Sequence, residues 1–256
     1  MNRNVAAVDV AAFTALGWET RAVLGALAGV EPTDGTRQWR GRLGDGGSCL
    51  LTQVGVGSER AAAAAQAVPP AGCFLSLGCG GGLVPWMRTG DIVVATEVVS
   101  LDRACRPEAR RSAWVPAADI GAQPGAIASS PTVLVSTAEK TAAAGCDAVL
   151  VDMESWALAT EAARRNVPFA AVRVVLDAHA DELPFLGEAI DPDTGEIVMR
   201  AAARALLPRP WSWPAVLRVA RQQWEAERRL GEAIAMLLRS TTWRATADRR
   251  AGDRRS

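Results

Sequence analysis

The sequence predicts an α/β fold, a central twisted, mixed but mostly parallel sheet flanked by helices, and three observations carry that expectation. Short apolar runs alternate with helical patterns along the chain, the order in which strands and covering helices follow one another. The 256 residues, 49% hydrophobic and 22% charged, suffice for a large domain with a sizeable core. No internal repeat and no Pro-, Gly- and Ser-rich linker divides the chain, so residues 1–238 are read as a single domain.

Taken in order, the expected strands are Cys49–Val56, Cys73–Leu77, Asp91–Val99, Thr132–Ser136, Ala148–Val151 and Phe169–Leu176. The expected helices are Glu19–Ala28, Ser58–Val68, Lys140–Ala144, Glu154–Asn166, Glu196–Leu207 and a long one over Pro214–Leu238. The stretch 109–131 has no clear period and reads as an irregular excursion. Residues 177–195 form a long acidic loop directly after a strand, and α/β proteins place their ligands in loops at the carboxyl ends of strands.

Composition narrows the function classes. Twenty-eight Lys and Arg balance twenty-eight Asp and Glu, so nothing in the overall charge points to nucleic acid. The charge is uneven, since residues 239–256 carry six Arg against two Asp. That basic, disordered tail fits a frayed terminus or peripheral contact with an anionic membrane face. The beginning of the chain shows no signal pattern and no apolar run of about 18 residues occurs, so a cytoplasmic location without a spanning helix is expected. Five cysteines without a C-x-x-C pair suggest reduced thiols rather than zinc or a disulfide framework. The one histidine, His179, excludes a site built on a His cluster. No metal or redox cofactor is implied.

Three stretches carry candidate chemistry. "LGCGGGL" (77–83), containing Cys79 and Gly80, follows an apolar run. It reads either as a tight turn or as a backbone cradle for a ligand. It is not a dinucleotide fingerprint, because a proline and another strand follow where a helix is needed. In "VRVVLDAHADELP" (172–184), Arg173 lies within a strand and Asp177 at its mouth. A buried arginine needs a carboxylate or a ligand. Asp177 fits either a proton-transfer role or a loop cap. In "VDMESWALA" (151–159), Asp152 and Glu154 bracket Met153 where a strand meets a helix. The helix dipole would favour a negative Glu154 but leaves its neighbours unexplained.

Together these stretches resemble the purine nucleoside phosphorylase and nucleosidase superfamily. "VDMESWALA" and the later "VRVVLDAHAD" match its Met-Glu pair and its R-x-x-S-D motif. "FLSLGCGGGLVPWMRTGDIVV" resembles its glycine-rich segment and the strand after it, and "VGVGSERAAAAAQ" its G-x-G segment opening a helix. "ALGWETRAV" resembles the N-terminal stretch of the methylthioadenosine/S-adenosylhomocysteine nucleosidases. The likeness spans about residues 10–200. "AEKTAAAGCDAVLVDMES" and the C-terminal "LLPRPWSWPAVLRVARQQWEAERRLGEAI" look like the hopanoid-biosynthesis-associated branch, phosphorylase-like nucleosidases acting on adenosylhopane.

The resemblance implies a nucleoside phosphorylase-like fold and cleavage of an N-glycosidic bond with release of adenine. By it, Asp177 is the general acid at purine N7, Glu19 positions and activates a water, and Arg173 holds the nucleophile or neutralises nearby carboxylates. Glu154 accepts hydrogen bonds from the ribose hydroxyls, Met153 lines the sugar, Cys79 and Gly80 contact the substrate, and Asp152 is structural. The implied partners are a small nucleoside, with room for a large apolar 5′ substituent, water or phosphate as nucleophile, and a second copy in a homodimer. Alternatives of the same resemblance are a methylthioadenosine/S-adenosylhomocysteine or futalosine-type nucleosidase, a true phosphorylase, or a nucleoside-binding protein without catalysis.

The sequence departs from the family pattern in several places. Leu176 stands at the Ser of R-x-x-S-D, Cys79 where Ser or Thr is common, and no aromatic near Ser130 and Pro131 is available to stack on a base. Ser76 stands where the phosphorylases carry a phosphate-gripping arginine, which favours hydrolysis unless Arg103, Arg106 or Arg110 loops back. Nine Trp and no Tyr fit core and interface packing, or a greasy channel for an apolar substituent.

Overall fold

In the computed structural model, which describes residues 6–33, 35–102, 110–112, 115, 117–181 and 213–239, the apolar run at Phe74–Leu77 is the middle of a twelve-residue strand, β5 (Ala71–Gly82). β5 pairs in parallel with β1 (Val8–Thr14) on one side and β10 (Phe169–Asp177) on the other. Its last residues, Gly81 and Gly82, turn onto β9 (Ala148–Asp152) in antiparallel register. β9 runs parallel to β8 (Gln123–Ser129), and β8 to β6 (Ile92–Ser100). β6 then returns antiparallel to β10. These five strands therefore close a ring. From β1, strands β4 (Ser48–Gln53), β3 (Gln38–Arg42) and β2 (Ala28–Thr33) extend as an open arm, and β7 (Arg110–Arg111) adds to β6. The two longest pairings, β10 with β5 and β6 with β8, are parallel, as expected for the fold class.

Neighbouring residues of the central strands bury opposite faces. Val10, Ala12, Leu75, Leu77, Val172 and Val174 pack with Trp18 of helix α1 (Gly17–Leu24) on one side. Ala11, Phe13, Phe74, Ala171 and Val175 pack on the other with Ala61 and Ala65 of α2 (Ser58–Ala67) and Leu158 and Ala162 of α4 (Ser155–Arg164). A sheet covered on both faces needs runs of apolar residues rather than alternation. The long C-terminal helix, α5 (Trp213–Arg239), joins the first face through Ala226, Leu230, Ala233, Ile234, Leu237 and Leu238. Their three- and four-residue spacing forms a single helical stripe. α3 (Thr137–Ala144) starts at a capping box, with Ser136 Oγ accepting from the Glu139 amide and Glu139 Oε2 accepting from the Ser136 amide.

Several expectations are corrected. The glycine stretch is not a turn after a strand: β5 continues through it to Gly82. Thr132–Ser136 is not a strand; its β-branched residues lead into the capped start of α3. The irregular stretch 109–131 contains β8 and a 3-10 turn at Ala117–Ile120. Glu19–Ala28 is helical only to Leu24, and β1, β2 and β3 add to the expected strands. Cys49, Cys73 and Cys79 form no disulfide, but Cys146 is disulfide-bonded. An odd count without C-x-x-C spacing does not forbid a bridge between distant cysteines. The expected helix Glu196–Leu207, most of the loop 177–195 and the tail beyond Arg239 lie outside the described residues. Among the described residues no helix is long and apolar enough to cross a membrane.

Two glycines provide opposite tests of the packing. A Cβ on Gly80 would lie 2.5 Å from both Leu150 Cδ2 and the Val151 carbonyl oxygen, where β9 crosses β5. Gly80→Ala is expected to destabilise the fold by about 1–3 kcal/mol through overpacking. A Cβ on Gly231 in α5 meets nothing within 4 Å, so Gly231→Ala should stabilise by about 0.5–1 kcal/mol. Urea midpoints of the two variants, moving in opposite directions, check the expectation.

Candidate functional site

The carboxyl ends of β1, β5, β9 and β10 meet on one side of the sheet, and the charged residues gather there. Behind them lies the buried Arg173, 2% exposed, on β10. Its Nε donates to Asp152 Oδ2 at 2.9 Å, and its second terminal nitrogen lies 2.8 Å from the same oxygen. That nitrogen also donates to Ser76 Oγ at 2.6 Å and Ser155 Oγ at 2.9 Å. The first terminal nitrogen donates to the Val172 carbonyl. Asp152 in turn accepts from Ser129 Oγ, Ser155 Oγ and the Ser155 amide. Asp152, not Glu154, is therefore the carboxylate that meets the free amide at the start of α4.

Glu19 sits at the first turn of α1, 1% exposed. Its Oε2 accepts from the amides of Ala15 and Leu16, and its Oε1 from the amide of Cys79 at 2.8 Å. The reach to β5 depends on Gly78, where a Cβ would stand 2.7 Å from Glu19 Oε1. Burial raises the Glu19 pKa, against the lowering effect of these amides and of Arg173. Burial, then the Glu19 charge, also pushes the Cys79 thiol well up. Cys79 thus stays protonated and is a poor nucleophile.

Glu154 leads into α4, and its Oε1 accepts from the amide of Gly57 at 2.8 Å. Gly57 has φ +110°, a conformation side chains avoid, and this aims its N–H at the carboxylate. Burial first, and then the Asp152 charge, raise the Glu154 pKa to about 8. Arg173 has its charge opposed by burial, but Asp152, Glu154 and Glu19 together hold its pKa above the ordinary value. One guanidinium faces three acids. With the cation outnumbered, a proton is held among the carboxylates at neutral pH.

Asp177 ends β10 and lies over Gly81 of β5. Its Oδ2 accepts from Lys140 Nζ at 2.5 Å. Burial raises the Asp177 pKa, and Lys140 partly offsets the rise. Lys140 is fully buried on α3 and was not anticipated from the sequence. A lysine in the Ala-rich run "AEKTAAAG" reads as a solvated helix residue, and only the carboxylate it meets from a distant strand reveals its role.

These groups border a cavity whose empty space, mouth included, is about 800 Å³. Glu19, Cys79, Gly80, Met153, Glu154 and Asp177 all line it, so six of the seven sequence candidates share one pocket. Arg173 lies behind it, bordering a smaller cavity with about 220 Å³ of empty space together with Glu19, Glu154 and Ser76. That space suits water with polar partners. Much of the remaining wall of the large cavity is aliphatic, from Leu16, Val56, Val133, Leu134, Val151 and Leu176, with Asp152 and Thr132 its polar exceptions. No Lys or Arg is among the described lining residues. Arg103 and Arg106 lie outside the described residues, as does the Arg110 side chain.

The comparisons with known proteins agree with this architecture. The chain superposes on the S-adenosylhomocysteine nucleosidase of Streptococcus pyogenes, in complex with 5-methylthiotubericidin, with a TM-score of 0.67 at 18% identity, over 92% of this chain and 98% of that one. The 5′-methylthioadenosine/S-adenosylhomocysteine nucleosidase of Neisseria meningitidis, in complex with methylthio-immucillin-A, gives 0.66 at 17% identity, over 90% and 98%. That of Helicobacter pylori with butyl-thio-DADMe-Immucillin-A gives 0.64 at 17%, over 90% and 96%. No curated protein matches the sequence. Residues 9–207 match the phosphorylase superfamily, and the chain belongs to that family of nucleosidase and phosphorylase enzymes.

Proposed function

We propose that the protein hydrolyses the N-glycosidic bond of an adenine nucleoside and releases adenine. The observation that carries this reading is the convergence of Glu19, Glu154 and Asp177 on one cavity whose described lining contains no cation. Breaking the bond between C1′ and N9 sends the electron pair to the base. Asp177, whose raised pKa favours the protonated form, supplies the proton at N7. The sugar becomes oxocarbenium-like, and the neighbouring carboxylates stabilise that positive charge. A water beside Glu19 and Arg173 attacks C1′ and passes a proton to Glu19, leaving the free sugar. Glu154 receives the ribose hydroxyls, with Met153 against the sugar and Cys79 and Gly80 along the substrate.

Hydrolysis is favoured over phosphorolysis because Arg173 is committed to Asp152, Ser76 and Ser155. A phosphate dianion entering here would face the carboxylate cluster without a free cation from the described lining. We assign the 5′ substituent as a large apolar one, as in adenosylhopane, on the sequence resemblance and the aliphatic wall. The structural likeness to methylthioadenosine/S-adenosylhomocysteine nucleosidases supports a second reading in which the substituent is small. Parallel assays of adenosylhopane and methylthioadenosine decide between them. A homodimer in the cytoplasm, with the basic tail touching the inner membrane face, completes the reading. Light scattering and vesicle sedimentation test those two parts.

Three outcomes are expected. Asp177→Asn should bind nucleoside about as well as wild type yet lose ~10²–10⁴-fold in turnover, the usual worth of a general acid; near-normal turnover would remove Asp177 from the role. Glu154→Gln should impair a ribonucleoside far more than its 2′-deoxy counterpart, and equal losses would make Glu154 a structural acid. Product analysis should show free sugar and adenine at the same rate with or without phosphate. A sugar 1-phosphate formed only when phosphate is present would overturn hydrolysis.

A further inference from the structure

Lys140 is a complete ammonium site in the protein interior. Its three protons go to Asp177 Oδ2 at 2.5 Å, the Ala178 carbonyl at 2.7 Å and the Asp181 carbonyl at 3.1 Å. A wholly buried ammonium is costly unless paired and fully hydrogen-bonded, and here it is both. The turn it grips is fixed independently. Asp181 Oδ2 accepts from the Ala178 amide and from Gln222 Nε2 of α5. Thr141, the next residue of α3, meets His179 Nε2 at 3.0 Å. Lys140 itself is set by the capping box that starts α3.

Three elements thus converge to immobilise one carboxylate oxygen. Lys140 meets Oδ2 alone, and among the described residues no side chain donates to Asp177 Oδ1, while Asp177 lines the cavity. We propose that Lys140 is a positioning residue for the proton donor: it clamps Oδ2 of Asp177 and the turn behind it, so that Oδ1 is the oxygen presented to the leaving base. This rests on the assignment of Asp177 as the donor. The clamp also brings a positive charge to the donor. The charges facing Asp177 are Lys140 from α3 and Asp181 from the following turn, with His179 bonded to α3 nearby. Glu19, Asp152 and Glu154 share its cavity. Of these, Lys140 is the cation in contact, and it opposes the upward pull of burial on the Asp177 pKa.

A donor must hold its proton, so kcat/KM falls as pH rises through the donor's pKa. Removing the Lys140 charge raises that pKa and moves this falling limb to higher pH. The experiment measures kcat/KM against pH, with the nucleoside that wild type cleaves, for Lys140→Met, Lys140→Gln and Lys140→Arg. Lys140→Met is expected to lower kcat at its optimum by ~10–100-fold through lost orientation and to move the limb up by about 1–3 pH units. Lys140→Gln keeps a hydrogen-bond donor without the charge and should show the same limb shift, which keeps the test decisive if the Met variant does not fold. Lys140→Arg restores the charge and should return the limb to the wild-type position with partial recovery of kcat.

A positioning effect acts only through Asp177, so Lys140→Gln added to Asp177→Asn should cost no further turnover. A structural effect would instead multiply. A folded neutral variant whose limb stays in place, or a double variant showing the full product of both losses, overturns the inference while leaving Asp177 as donor. Near-normal turnover in Asp177→Asn alone overturns the donor assignment and this inference with it.

Discussion

The ion pair of Arg173 with Asp152 is the constraint on which the site depends. Arg173 comes from β10, Asp152 from the end of β9, Ser76 from β5, Ser129 from β8 and Ser155 from α4. Four of the five strands of the closed ring are thereby tied to one buried charge pair. Such a pair is a weak source of net stability compared with apolar packing, but removing one partner typically costs about 3–5 kcal/mol because the other charge is stranded. Its value lies in specification: the strand register that satisfies Arg173 also brings Glu19, Glu154 and Asp177 to the same end of the sheet.

The same pair determines how charge is distributed across the pocket. Asp152, the two serines and the Val172 carbonyl take the guanidinium's hydrogen bonds, so Glu19 and Glu154 feel it only at a distance and rely on backbone amides instead. Burial then pushes both acids upward, Glu154 to about 8. Asp177 lies in a separate electrostatic setting, paired with its own ammonium from α3. The four carboxylates therefore rest on three kinds of partner: an arginine for Asp152, amides for Glu19 and Glu154, and a lysine for Asp177. Chemically identical groups can occupy different protonation states within one cavity for this reason.

Much of this was legible in the sequence because buried charge is conspicuous against apolar surroundings. Arg173 inside "FAAVRVVL" and the acids of "VDMES" interrupt runs that otherwise want to be strand or core, and the structure brings them together. Lys140 escaped because its own segment is amphipathic and Ala-rich, so nothing local marks the charge as buried. β8, "QPGAIAS", escaped because Pro, Gly, Ala and Ser have weak strand preference. It is held by β6 and β9 on either side, which only the assembled sheet supplies. Conversely, "TVLVS" has the composition of a strand, but the capping box at Ser136 and Glu139 places that stretch just before a helix start.

The closed ring divides the cavity wall into parts with different tolerance to sequence change. Cys79, Gly80, Gly81, Val151, Asp152, Leu176 and Asp177 belong to strands that pair on the ring, and several meet the charge network or a neighbouring backbone directly. Thr132, Val133 and Leu134 belong to no strand. Exchanging Val133, or Leu134 where it packs on the neighbouring apolar cluster, reshapes the cavity wall without touching an ion pair, a strand register or a close glycine contact. The cavity can therefore be reshaped through this short wall while the buried charge network stays intact, which makes it the natural place to begin a directed-evolution library.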